Sequence, residues 1–248
     1  MDKIELLKKQ SEIDERIKQI WGENCSLDGI TDIGKYVTNE KENWHTLWIL
    51  KEMNRNFQEK GVLDQREYLK NGAGWNMGTW GNIMRVTAGI REYAASNGEQ
   101  ELLYKDLPTL ELEDGNKDYR FYYSKYDGEQ IFPLDEIAMI NIHKGIGGKS
   151  SNDAFIASHY EKPEVRKLIL DQVEYINPRI IIVCNHVKQL LCDLAGVEKF
   201  DAYKPEKDSD NFYYQTNNRL IISTGHPLFK NNEKYCNDIL NRVYDCHI

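Results

Sequence analysis

The sequence lacks the apolar segments that would place a protein in or across a membrane. No apolar run approaches 18 residues, and the mean hydropathy is −0.66, so a transmembrane helix is not expected. The opening segment, MDKIELLKKQSEIDER, has no apolar core of the kind found in signal peptides. These two absences predict a cytoplasmic protein with no membrane partner.

Closely spaced cysteine pairs are also missing. A zinc or iron–sulfur site normally shows at least one such pair, and without an export signal the thiols of a chain are expected to be reduced and mostly buried. The sequence therefore predicts no metal and no other cofactor. The five cysteines are Cys25, Cys184, Cys192, Cys236 and Cys246.

Positive charge is in deficit, with 32 Lys and Arg against 40 Asp and Glu and a net charge of −8. A protein that binds nucleic acid over a broad surface needs clustered basic side chains to neutralise phosphates, so this class is excluded. A single local groove is still compatible with the charge. Much of the acid falls in 111–129 and 198–210, whereas four basic residues lie near predicted strand ends: Lys51, Arg55, Lys144 and Lys149.

Short, fully apolar segments alternate with amphipathic ones, which is typical of an α/β protein whose sheet is buried on both faces. The sequence predicts a three-layer αβα sandwich around a mainly parallel, four-stranded central sheet, in one domain spanning 1–248. An N-terminal helix (1–20) and an acidic, tyrosine-rich hairpin or surface insertion (111–132) complete it. The predicted strands are 46–50, 137–142, 180–184 and 220–223, and the main helices are 3–20, 82–96, 163–176, 186–195 and 231–245.

Polar side chains follow three of the predicted strands, at positions where a strand does not require them. The first strand leads into 51–56 (KEMNRN), the second carries Asn141 and then His143-Lys144, and the last leads into His226-Pro227. Ligands of open α/β sheets bind outside the carboxyl ends of the strands. If the strands are parallel neighbours, these three groups of residues converge on one cleft.

The order of these segments resembles the uracil-DNA glycosylase superfamily. Asn141-Ile-His-Lys144 is similar to the middle motif of that family, and 170–183 (LDQVEYINPRIIIV) is similar to the helix and strand that precede its last motif. His226-Pro227 stands where the family has His-Pro-Ser, with Leu228 in place of the serine. The resemblance covers roughly residues 46–230.

This sequence differs most from the family in the first motif, where both glycines and the proline are missing. Two registers are open. One aligns Glu52 with the glutamate of the Gly-Glu form of the motif, and the other aligns Met53-Asn54 with the Met-Asn form.

The resemblance implies hydrolysis of the N-glycosidic bond of a flipped, damaged or modified base, in DNA or another base-containing ligand. Such a bond breaks when the negative charge on the departing base is stabilised and a water molecule meets the sugar cation. In this assignment His226 donates a hydrogen bond to the base, Asn141 reads a base edge, and Asn54 or Glu52 positions the water. Trp75 or Trp80 stacks on the base, and the phosphate is held by Lys144, Lys149, Ser150 and Ser151.

Two other functions fit parts of the same sequence. The altered first motif and the acidic charge suit a non-catalytic module that binds a base, a nucleotide or a protein on the same fold. The run Gly145-Ile-Gly-Gly-Lys-Ser150 ends like the P-loop of a nucleotide triphosphatase, but His143 stands where that motif requires its first glycine. A phosphate-contacting loop of another kind suits this run better.

Overall fold

The computed structural model describes residues 2–38, 44–52, 61–71, 77–108, 111–112, 119–145, 152–198, 212–216, 218–228 and 231–246. No helix within these ranges is both long enough and apolar enough to cross a membrane. The helices are α1 Lys3–Trp21, α2 Ile33–Thr38, α3 Gln65–Asn71, α4 Met77–Ala95, α5 Asp153–Tyr160, α6 Pro163–Ile176, α7 Lys188–Ala195 and α8 Asn232–Asp245. The strands are β1 Ser26–Leu27, β2 Gly29–Ile30, β3 Thr46–Glu52, β4 Leu63–Asp64, β5 Glu111–Leu112, β6 Tyr119–Tyr123, β7 Gln130–Ile131, β8 Ala138–His143, β9 Ile180–Val183, β10 Phe212–Gln215 and β11 Leu220–Ser223.

Six strands form a mixed sheet in the order β10-β11-β9-β3-β8-β2. Strands β11, β9, β3 and β8 pair in parallel with their neighbours, whereas β2 and β10 run antiparallel along the two edges. The predicted α/β class is confirmed, and the predicted sheet of four strands is corrected to a mixed sheet of six. The edge strands escaped prediction because β2 has only two residues and β10 (FYYQ) is not an apolar run.

Side chains of β3 divide the apolar core between the two faces of the sheet. Leu47 and Ile49 join the cluster that contains the buried residues of α1, α6 and α7, and Trp48 and Leu50 join the cluster of α4 and α8. All four side chains are buried. Helices therefore cover both faces, as uninterrupted apolar strands require.

Local signals explain several helix ends. Asp2 caps α1 by accepting a hydrogen bond from the Glu5 backbone N–H at 2.8 Å. Pro163 lies in the first turn of α6, and Asn177 ends that helix with a φ of 47°. The predicted helix 163–176 is confirmed. Helix α4 begins at Met77, earlier than predicted, because packing of its first turns overrides the low helix propensity of the glycines there.

The tyrosine-rich segment forms β5, β6 and β7 of a small antiparallel sheet. Tyr122 is fully buried, whereas Tyr123 and Tyr126 are exposed. The neighbours Tyr122 and Tyr123 of β6 have the alternation of a strand with one packed face, and Tyr126 lies in the turn after it.

A matched pair of substitutions tests the packing of α1 against α6 and the rest of its core cluster. Ile17 is 0% exposed and Ile4 is 79% exposed. Ile17→Ala should lower the free energy of unfolding by about 2–5 kcal/mol, because it removes buried methyl groups and leaves a cavity. Ile4→Ala on the same helix should change it by less than about 0.5 kcal/mol. Urea denaturation measures both values, and equal effects would contradict this packing.

Candidate functional site

The carboxylate of Asp28, in the turn between β1 and β2, is the centre of a buried hydrogen-bond network. It accepts hydrogen bonds from Lys144 Nζ at 2.7 and 2.8 Å, from the Asn141 backbone N–H at 2.7 Å and from Gln172 Nε2 at 3.0 Å. Asp28 is 1% exposed and the other three residues are 0% exposed. Burial lowers the pKa of Lys144, and the charge of Asp28 opposes that shift.

This network contains two of the predicted site residues. Asn141 Nδ2 donates to Gln65 Oε1 at 2.6 Å, and Lys144 Nζ also donates to the Asn141 carbonyl oxygen at 2.8 Å. Asn141 Oδ1 has no hydrogen-bond partner among the described residues. Apart from Asn141 Oδ1, these contacts satisfy the polar atoms of both side chains, which are buried within and just after β8. Base reading by Asn141 and phosphate binding by Lys144 stay predictions.

Three titratable residues stand at the same sequence offset from one register line across three parallel strands. Glu52 ends β3, whereas His186 and His226 lie in the loops after β9 and β11. The strands β3, β9 and β11 are adjacent and in register at Ile49, Val183 and Ser223. Three positions further along the sequence from these residues are Glu52, His186 and His226. We call these three residues the carboxyl-edge row. The chain runs from β3 to β8 on one side and returns to β9 on the other. Ligands of open α/β sheets bind at such a reversal, outside the carboxyl ends of the strands.

His226 has a defined protonation state. Its Nδ1 accepts a hydrogen bond from the Leu228 backbone N–H at 3.1 Å, so the proton of the neutral ring lies on Nε2. Partial burial of the ring and the positive charge of Lys51 lower its pKa below 6.5, although one side of the residue is exposed. At neutral pH His226 therefore presents an uncharged Nε2–H donor at the sheet edge.

The loop that carries His226 is anchored from two helices. Asn82 of α4 donates from Nδ2 to the Pro227 carbonyl oxygen at 2.6 Å and to Asn232 Oδ1 at 3.1 Å. Tyr235 of α8 donates from Oη to the Gly225 carbonyl oxygen at 3.4 Å. Because Asn82 is 1% exposed, water does not compete for these bonds, and the loop is held in one position.

Lys51 and Glu52 end β3 and are both half-buried. Lys51 Nζ lies 2.5 Å from Asp153 Oδ1 at the start of α5. The pKa of His159 on α5 is lowered by burial and by Lys162, and Glu52 opposes that shift. The end of β3 therefore brings one positive and one negative side chain to this edge, and both interact with α5.

His143, at the end of β8, is enclosed by aromatic rings. Trp21 Nε1 donates to its Nδ1 at 3.3 Å, and the rings of Phe155 and His159 lie edge-on with centroids 5.2 and 4.5 Å away. Burial, and then the positive charges of His159 and Lys162, lower the pKa of His143 to about 4. The ring is therefore neutral at pH 7 and packs as an aromatic side chain.

The structure brings Glu52 and His226 to one edge and places Trp80, which is 8% exposed, in the apolar core. It adds His186, which the sequence analysis did not name. His186 lies three residues after β9, in the loop before α7, and the signal that would have found it is a histidine in the loop that follows an apolar strand. The remaining predicted site residues lie outside the described residues: Asn54, Trp75, Lys149, Ser150 and Ser151.

A cavity of about 890 Å³ lies at the opposite edge of the sheet, where Tyr36, Gly196, Arg179 and Arg219 form part of its lining. Arg179 and Arg219 directly precede β9 and β11, so this cavity is at the amino ends of the strands. It contains none of the predicted site residues. Within the described ranges, no group of three or more His, Cys, Asp or Glu side chains is placed to hold a metal ion.

No protein-family model matches the chain, and no curated protein matches it. The fold and the site therefore define only a class: an α/β protein whose sheet carries histidines and a carboxylate at its carboxyl edge.

Removing the cation of the buried network should destabilise the fold. Lys144→Met leaves the Asp28 carboxylate buried without its counter-charge, which should lower the free energy of unfolding by about 3–5 kcal/mol. The control is Lys167→Met, which removes an exposed lysine paired with Asp171 and should cost less than about 1 kcal/mol. Chemical denaturation measures both, and indistinguishable losses would contradict the importance of the buried pair.

Lowering the pH should destabilise the protein through His143. Its pKa of about 4 in the folded state lies below the ordinary 6.5. The unfolded chain therefore binds the proton more readily between these values, and stability falls as the pH falls through this window. Between about pH 7 and about pH 4.5 the wild type should lose about 2–3 kcal/mol more than His143→Asn, which keeps an acceptor for Trp21. Urea denaturation at both pH values measures this difference, and equal losses would refute the assignment.

Proposed function

We propose that the protein is a divergent uracil-DNA glycosylase-like enzyme that hydrolyses the N-glycosidic bond of a flipped, damaged or modified base in nucleic acid. The fold that we propose is a three-layer sandwich in which helices cover both faces of the parallel strands β11, β9, β3 and β8. The observation that carries it is that Glu52 and His226 follow the register line through β3, β9 and β11 at the same offset in sequence, with Lys51 close enough to lower the pKa of His226.

The chemistry of these residues suits release of a base as an anion. A neutral Nε2–H aimed at a developing negative charge stabilises the transition state more than the ground state. His226 supplies such a donor, and Lys51 adds positive potential beside it. Glu52 accepts a hydrogen bond from the attacking water and orients it towards the sugar. In the other register of the first motif Asn54 has this role, and that residue lies outside the described residues.

The same edge suits a phosphate backbone despite the net charge of −8. Helix α7 follows β9 in the chain and so begins near this edge, and its first turn has neither a side-chain cap nor an acidic residue. The N-terminus of a helix attracts anions through its free backbone N–H groups. A short stretch of DNA is therefore the partner that we propose for this edge.

Base release is tested with single- and double-stranded oligonucleotides that carry uracil or other modified bases, followed by detection of abasic sites. The wild type should form abasic sites, and His226→Ala should do so at least about 100-fold more slowly because it removes one donor to the departing base. Leu228→Ala is the matched control, because it alters an exposed side chain in the same loop and keeps the backbone N–H that binds His226. If the wild type forms no abasic product on any of these substrates, the enzymatic proposal is refuted.

A non-catalytic binding module is the second candidate, and the buried network favours it. Asn141 and Lys144, the residues most similar to a family motif, are held in the interior by Asp28 and Gln65. If the binding groups of the family have become structural groups here, the edge would bind a base or nucleotide without cleaving it. Retention of a modified oligonucleotide with no abasic product identifies this case.

A further inference from the structure

We propose that the cavity at the amino ends of the strands binds a small sugar phosphate, whose phosphate is held by Arg179 and Arg219. The cavity has a volume of about 890 Å³, which lies within the range of about 300–1,000 Å³ for small-molecule sites. A phosphate ion alone fills only a small part of such a volume. This cavity lies at the opposite edge of the sheet from the carboxyl-edge row, so its ligand is separate from the proposed base release.

The pairing of the strands places the two arginines side by side. Ile180 of β9 and Leu220 of β11 are in register, so the residues before them, Arg179 and Arg219, are neighbours. The Leu220 backbone N–H donates to the Arg179 carbonyl oxygen at 2.9 Å. Neighbouring strands are about 4.8 Å apart, and residues in register project from the same face of a sheet. Since both arginines line the cavity, their positive charges are close to the same space.

The charges of these arginines are available to a ligand. Among the described residues, neither Arg179 nor Arg219 forms an ion pair, and Arg219 Nη2 donates to the neutral Asn177 Oδ1 at 3.1 Å. Asp193 in the lining is already paired with Arg166, at 2.5 and 2.7 Å. A phosphate monoester carries a charge of about −1.5 to −2 at pH 7, and guanidinium groups bind its oxygens through paired hydrogen bonds. Two adjacent arginines therefore match a phosphate better than a singly charged carboxylate.

Other groups in the lining suit the sugar. Helices α6 and α7 end here, at Asn177 and Gly196. The last carbonyl groups of a helix accept hydrogen bonds and carry partial negative charge, so they favour hydroxyl donors over a second anion. The exposed carboxylate of Glu174 has the same preference, and Thr216 and Asn218 add polar side chains. The organic part of the ligand should therefore carry hydroxyl groups, as a sugar does.

Contacts within the protein hold one wall of the cavity in place. The ring of Tyr36 stacks on that of His45 with centroids 4.0 Å apart, and Tyr36 Oη donates to the Ile176 carbonyl oxygen at 3.2 Å. Burial and then Tyr175 raise the pKa of Tyr36, and the charge of Arg219 opposes that shift, so Arg219 is close to this wall. A wall that is already ordered lowers the entropy cost of binding a ligand.

The first test is binding to the full chain, measured by isothermal titration calorimetry. The probes are ribose 5-phosphate, adenosine 5′-monophosphate, ribose and inorganic phosphate. At least one of the two sugar phosphates should bind with a Kd below about 1 mM, and at least about tenfold more tightly than ribose or inorganic phosphate. Weaker binding of both sugar phosphates overturns the proposal, and so does equal affinity for inorganic phosphate.

The second test locates the phosphate. Arg179→Gln and Arg219→Gln should each raise the Kd of the bound sugar phosphate at least about tenfold, because each removes a charged donor. Arg242→Gln is the matched control, since Arg242 is a half-buried arginine of α8 outside the cavity lining, and it should leave the Kd unchanged. Thermal unfolding without ligand checks that each variant is folded. Wild-type affinity in both cavity variants refutes the proposal.

Backbone amide NMR of the wild type locates the same ligand without any substitution. A saturating sugar phosphate should shift the signals of Gly196 and Asn218 in the cavity lining and leave that of Gly225, in the loop that carries His226, unchanged. Shifts at Gly225 with none at Gly196 and Asn218 overturn the proposal and place the ligand at the carboxyl edge. None of these tests measures base release, so a failure here and a failure of the proposed function are distinguishable.

Discussion

One buried carboxylate, that of Asp28, constrains the elements around the end of β8. Burying an ionised carboxylate costs several kcal/mol unless it is paired and hydrogen-bonded. The donors that satisfy Asp28 come from the β8 backbone, from Lys144 just beyond it and from Gln172 on α6. Each of these elements must therefore keep its position relative to the turn that carries Asp28. Arg66 extends the constraint, because it joins α3 to α1 through Asp14 at 2.8 Å.

The residues at the end of β8 therefore stabilise the fold. Lys144 is in the buried network, and His143 just before it is enclosed by Trp21 and the rings of α5. At the carboxyl ends of β3, β9 and β11, Ser223 and Asn185 are buried, whereas His186 and His226 are exposed and Lys51 and Glu52 are half-buried. This division separates the residues that hold the sheet together from those able to meet a ligand, although both groups lie at one edge.

The sequence predicts those parts of the structure whose signals are local. Strand β11 and helix α6 have the expected bounds because an apolar run, a proline and an asparagine mark them directly. The partners of Asn141 could not be predicted, since Gln65 lies 76 residues away and carries no pattern of its own. His186 was missed because the sequence predicts it as the first residue of a helix over 186–195, whereas α7 begins at Lys188. Its place beside His226 depends on the register between β9 and β11, which exists only in the folded chain.

The two edge strands have a consequence for how copies of the chain meet. An exposed, long strand edge is a template for pairing with another molecule. Here the apolar parallel strands are enclosed by β2, of two residues, and β10, of four residues. Such short antiparallel edges offer few backbone groups in a row, and the net charge of −8 adds repulsion between copies. Among the described residues, the apolar strands β3, β8, β9 and β11 therefore pair with strands of the same sheet.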